Sequence, residues 1–65
     1  MDNSIRKLRE QMGLSQADLG SSVDVSRQTI NSIENGKFDP SLPLAMKIAK
    51  FFDCKIEDIF KDKES

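Results

Sequence analysis

From Ile5 to Phe60 the apolar residues recur at steps of three and four. That period gathers side chains on one face of an α-helix, whereas a half-buried strand needs a period of two. A chain patterned this way almost throughout is committed to an assembly of helices. Its interruptions then mark where each helix ends. Ile5, Leu8 and Met12 form a first stripe and Gly13 is a stop, so a helix is expected over residues 4–12. Ser15 followed three residues later by Asp18 is a helix start: the hydroxyl can accept from a free backbone N–H, and the acid favours the positive end. Ala17, Leu19, Gly20 and Val23 give this short second helix a small-residue inner face, ending near residue 22 or 23.

Ser26 opens a third helix over 27–34, and Asn35-Gly36 closes it because glycine can take the left-handed cap conformation. Pro40 biases Asp39 away from helix. Ser41 caps a fourth helix that tolerates Pro43 in its first turn. Its apolar positions are Leu42, Leu44, Ala45, Ile48, Ala49, Phe51 and Phe52. A fifth, from about 55 to 60, carries Ile56, Ile59 and Phe60, and 61–65 is expected to fray. The expected fold is all-α: one compact five-helix domain over residues 1–65, with its motif at about 16–34.

Several function classes drop out. A chain of 65 residues buries only about 60% of its unfolded surface, which leaves no room for an enclosed active-site pocket. There is no histidine and only one cysteine, Cys54. No internal disulfide, usual zinc or haem site, or cysteine–base pair can therefore be built. No glycine-rich phosphate loop appears. Neither an enzyme nor a cofactor nor a small-molecule ligand is expected. No run of apolar residues could span a membrane, and the N-terminus lacks the pattern of a secretory signal. The expectation is a reduced, cytoplasmic domain. Cys54 reads most simply as a small apolar side chain between the last two helices, with a redox role as the alternative.

Charge gives less direction. Ten basic and eleven acidic residues leave a net of −1, and nucleic-acid binders usually carry a basic excess. Any electropositive face must arise from geometry. Geometry is informative at 16–34, where two short helices meet across Val23-Asp24-Val25-Ser26, the length of a helix-turn-helix connection. With Ile30 at 0° and about 100° per residue, Ile33 falls near 300°, and Asn31, Gln28 and Ser32 near 100°, 160° and 200°, pointing outward. Arg27, near about 60° on the same scale, sits on the shoulder. Gln and Asn can pair bidentately with adenine, and Arg with guanine, in a major groove. The same residues also suit a plain polar surface, and the turn spacing favours DNA.

Residues 5–60 resemble the phage-repressor/Cro-type (Xre-like) helix-turn-helix domain. The resemblance lies in Ile5-Arg6-Lys7-Leu8-Arg9-Glu10, Gly13-Leu14-Ser15-Gln16-Ala17-Asp18-Leu19, Val25-Ser26-Arg27-Gln28-Thr29-Ile30 and Ile33-Glu34-Asn35-Gly36-Lys37. It continues through Pro40-Ser41-Leu42, Leu44-Ala45, Ile48-Ala49 and Ile56-Glu57-Asp58-Ile59-Phe60. It is most similar to the short stand-alone bacterial regulators. The resemblance implies a transcriptional regulator, most simply a repressor, that binds double-stranded DNA. Arg27, Gln28, Asn31 and Ser32 would meet bases. Arg9, Gln16, Ser26, Asn35 and Lys37 would meet phosphates. Gln16 has its own warrant, since the first turn of a helix offers free N–H groups and a positive dipole end.

Arg9 and Glu34 each lie about 40° off their helix's apolar stripe, and the resemblance pairs them across the first and third helices. Three positions depart from the family pattern: Gly20 stands where Ala is usual, and Asp24 and Asp53 where Gly is usual at a turn. Relatives act as symmetric dimers on palindromic operators. Leu44 and Phe51 share one face of the fourth helix, with Phe52 placed inside, so the expected homodimer interface is Leu44, Phe51, Ile56 and Phe60. The alternative reading is an antitoxin-like subunit that binds both DNA and a protein partner.

Overall fold

A computed structural model describes residues 2–61. The helices are α1 (Ile5–Gln11), α2 (Gln16–Ser22), α3 (Arg27–Glu34), α4 (Leu42–Phe51) and α5 (Ile56–Ile59). Strands β1 (Asp2–Asn3) and β2 (Phe60–Lys61) pair antiparallel, Asp2 with Lys61 and Asn3 with Phe60.

Serines start three of the helices. Ser15 Oγ accepts from the Asp18 N–H at 3.0 Å while Asp18 Oδ2 accepts from the Ser15 N–H at 3.1 Å, a reciprocal capping box. The backbone and side chain of Ser15 hold the Asp18 carboxyl below its ordinary pKa. Ser26 Oγ accepts from Thr29 N–H at 3.1 Å and Ser41 Oγ from Leu44 N–H at 3.3 Å. Four helices stop alike, with one left-handed residue: Gly13 (φ 69°), Asp24 (φ 63°), Gly36 (φ 74°) and Asp53 (φ 56°). The N–H of the following residue then bonds a carbonyl of the last turn: Leu14 to Arg9, Val25 to Gly20, Lys37 to Ser32 and Cys54 to Ala49, at 2.8–3.0 Å. The two aspartates adopt the conformation that glycine would take without strain, as their short polar side chains permit.

The core is aliphatic. Ile5, Leu19, Ile30, Ile33, Ile48 and Ile59 are fully buried, with Val23, Ala45, Ala49 and Phe60 completing it. Met12 and Leu42, expected on the inner stripes, are exposed. Met12 is the C-cap of α1 and Leu42 the first residue of α4, so neither has a packed turn beyond it. Ala17 faces solvent; the inner face of α2 is Leu19, Gly20 and Val23. Phe51 and Phe52 are both half-buried and pack edge-to-face with centroids 5.1 Å apart. Phe52 caps the helix and so leaves the stripe that would have taken it inside.

The largest difference from expectation lies at the chain ends. Helix α5 stops at Ile59, and Phe60 turns into β2. The Ser4 N–H bonds the Ile59 carbonyl at 2.9 Å, Asn3 Nδ2 donates to the Ile33 carbonyl at 2.8 Å, and Asn3 Oδ1 accepts from the Ile5 N–H at 3.2 Å. The N-terminal strand thus ties α5 to the end of α3. The expected fraying therefore does not extend to Lys61, whose backbone pairs; 62–65 lie outside the described residues.

Candidate nucleic-acid interface

The interface is built on the packing of α2 against α3. Gly20 is buried, and a Cβ placed there would stand 2.6 Å from the Val25 carbonyl oxygen and 3.2 Å from the Ser26 carbonyl carbon. The missing side chain lets the turn close onto α2, and Asp24 in the left-handed region makes the reversal. The helix Arg27–Glu34 then leaves the turn with Ile30 and Ile33 in the core.

Its opposite face is bare. Arg27, Gln28 and Asn31 are exposed, and Ser32 is half-buried at the edge. Ser26 is exposed at the head of the helix; Asn35 and Lys37 are exposed just beyond its end. Gln16, first residue of α2, is half-buried against the same face.

A hydrogen-bonded chain runs beneath this surface. The side chain of Glu34 has 0% exposure and that of Arg9 12%. Arg9 Nε donates to Glu34 Oε2 at 2.8 Å, Nη2 to Oε1 at 3.2 Å, and Nη1 to the Leu14 carbonyl at 2.8 Å. Arg6 Nε lies 3.6 Å from the same carboxylate. Gln16 Nε2 donates to Glu34 Oε1 at 3.1 Å and to Asn31 Oδ1 at 3.2 Å, and Asn35 Nδ2 donates to Asn31 Oδ1 at 3.3 Å. Burial pushes the Glu34 carboxyl up, but the bonds from Arg9 and Gln16 and the charges of Arg9 and Arg6 outweigh it. The group is held below its ordinary pKa. The bond to Glu34 in turn raises Arg9, against the opposing effect of burial.

The arrangement brings Arg9, Gln16, Asn31, Glu34 and Asn35 into one network, with Gln28 and Arg27 free of it at the surface. Because Asn31 Oδ1 already accepts twice, its N–H₂ is what remains to meet a ligand. Two residues beside this surface carry no expectation from the sequence: Arg6 on α1, and the exposed Phe38 in the connection between α3 and α4. Arg6 lies three residues before Arg9, on the neighbouring face, and that i,i+3 spacing was the available signal. Phe38 carried none, because an isolated aromatic in a loop has no periodicity.

Elsewhere, Leu44, Phe51 and Ile56 keep partly exposed surface, whereas Phe60 is 8% exposed within the chain's own core. It turned inward because β2 replaced the last turn of α5, and this removes it from the face expected to meet a second copy. Cys54 is half-buried, its Sγ–H donating to the Phe52 carbonyl at 3.3 Å. Among the described residues no cluster of acidic and cysteine side chains could hold a metal, and no helix is long and apolar enough to cross a membrane.

Two short helices locked across a tight turn, the second with a bare polar face, define the helix-turn-helix class of DNA-binding folds. A family model described as Helix-turn-helix matches residues 5–59, and the chain belongs to that family, in its phage-repressor/Cro type. It is 58% identical over 60 residues to an HTH-type transcriptional regulator of Methanocaldococcus jannaschii, covering 92% of this chain and 91% of that one. The P22 c2 repressor protein, solved in complex with a synthetic operator, superposes with a TM-score of 0.83 at 28% identity, covering 88% of this chain and 86% of that one. The restriction-modification controller protein C.AhdI from Aeromonas hydrophila gives 0.78 at 30%, covering 86% and 85%. The family is one of DNA-binding transcriptional regulators, not of enzymes.

Proposed function

We propose that the chain is a sequence-specific repressor that binds a palindromic operator as a homodimer in the cytoplasm. The observation that carries this reading is the exposed face of α3, where Arg27, Gln28 and Asn31 stand opposite the buried Ile30 and Ile33. Gln28 reads adenine, with Arg27, Ser32 and the Asn31 amide beside it. Gln16, through the N–H it presents at the start of α2 since its side-chain amide is engaged by Glu34 and Asn31, sets the register on the sugar-phosphate backbone with Ser26, Asn35 and Lys37, and Arg9 reaches it beside them. The net charge of −1 matters less than the placing of the exposed Arg6, Arg27 and Lys37 around this one surface.

Size supports a dimer. The domain extends 31 × 22 × 20 Å, about one turn of duplex (roughly 34 Å), so one copy covers one half-site. Leu44, Phe51 and Ile56, which keep partly exposed surface, supply the shared face. Repression follows from occupying a promoter that polymerase needs. Selection of bound duplexes from a random pool tests the reading. It should enrich two inverted half-sites about 10 bp apart, centre to centre. A pool that shows no enrichment would refute the reading, and a single half-site would refute the dimer.

A further inference from the structure

Phe38 is the one large aromatic left substantially exposed among the described residues, at 49%. It belongs to the connection between α3 and α4, and that connection is anchored. The Gly36 N–H bonds the Ile33 carbonyl at 3.0 Å and the Lys37 N–H bonds the Ser32 carbonyl at 2.9 Å. Gly36 at φ 74° directs the chain back along the helix. Two residues beyond Phe38, Pro40 restricts the backbone of Asp39. Phe38 is thus held beside the outward face of α3, where it lines a single concavity with Ser26, Gln28, Thr29 and Ser32.

Every other side chain there carries a polar group that can hydrogen-bond to a base edge or a phosphate. An exposed phenyl ring among them is unfavourable in water and has one apolar target in a major groove: the C5-methyl of thymine. We propose that Phe38 is a specificity-determining residue that packs on a thymine methyl next to the base read by Gln28. The inference rests on the DNA-binding reading above and adds a substrate class to it, half-sites with a thymine at one fixed position.

The test uses the full chain and the duplex obtained by selection, with each thymine replaced in turn by deoxyuridine. That exchange deletes the methyl group and keeps Watson–Crick pairing. The wild-type protein should bind about three- to tenfold more weakly when one particular thymine per half-site is changed. Phe38→Ala should bind the thymine duplex as weakly as the wild type binds the uracil one, and should lose its response to that exchange. Phe38→Leu should keep part of the response. Thermal unfolding of both variants should stay close to wild type, since the ring is not in the core. A uracil scan with no Phe38-dependent position overturns the inference while leaving DNA binding intact. Failure to bind any duplex, seen before uracil is introduced, overturns both.

Discussion

Replacing Glu34 by Gln keeps the size of the side chain and deletes its charge. Glu34 is fully covered, and it accepts two bonds from Arg9 and one from Gln16. Removing one partner of a buried ion pair typically costs about 3–5 kcal/mol, because the other charge is left buried and unpaired. Arg9 retains 12% exposure and its bond to the Leu14 carbonyl, so the lower part of that range applies, about 3–4 kcal/mol. A domain of this size has roughly 3–10 kcal/mol in total, so the variant should be visibly destabilised in urea at pH 7, at unchanged m. The pH dependence has a definite sign. The folded-state pKa of Glu34 lies below its unfolded value. The stabilisation is therefore present above the unfolded pKa and is lost as pH falls through the folded one. The gap between wild type and Glu34→Gln should shrink in acid. A gap under about 1 kcal/mol at pH 7, or one that persists unchanged below the carboxylate range, refutes the argument that this pair anchors α3 to α1.

Asp53→Gly should raise stability by about 0.5–1 kcal/mol, since position 53 is left-handed; a lower urea midpoint would contradict this. Gly20→Val should lower stability by at least about 2 kcal/mol, because even its Cβ would stand 2.6 Å from a backbone oxygen. Calorimetry showing an unchanged melting temperature would remove the close-approach argument. Gln28→Ala should cost about 1–3 kcal/mol on the preferred duplex and relax one base position; an equal loss on all sequences would end its role in readout. Lys37→Ala should weaken all duplexes alike and reduce the salt slope by about 1, and an unaltered slope would count against a phosphate contact.

The helices were legible because their signals are local. A capping serine at 15, 26 or 41 and a left-handed residue at 13, 24, 36 or 53 act within one turn, and the stripe through Ile30 and Ile33 fixes which side of α3 remains bare. Three features were not legible in the residues alone. The pairing of Asn3 with Phe60 involves two-residue strands, too short for a period of two to show. The burial of Phe60 follows from that pairing. The Gln16–Asn31–Asn35 bonds depend on how closely α2 and α3 approach, which is set by Gly20 and the turn and not by the amides themselves.

The central claim is that the outward side of α3 is the surface that meets DNA. Mapping backbone amide shifts of the labelled protein as the selected duplex is added tests it most directly. The largest changes should fall at Gln16, Arg27, Gln28, Asn31, Ser32 and 35–38, and the α4–α5 face should stay quiet in a protein that is already dimeric. Changes centred on Met46, Lys50 and Ile56, with α3 unmoved, would contradict it.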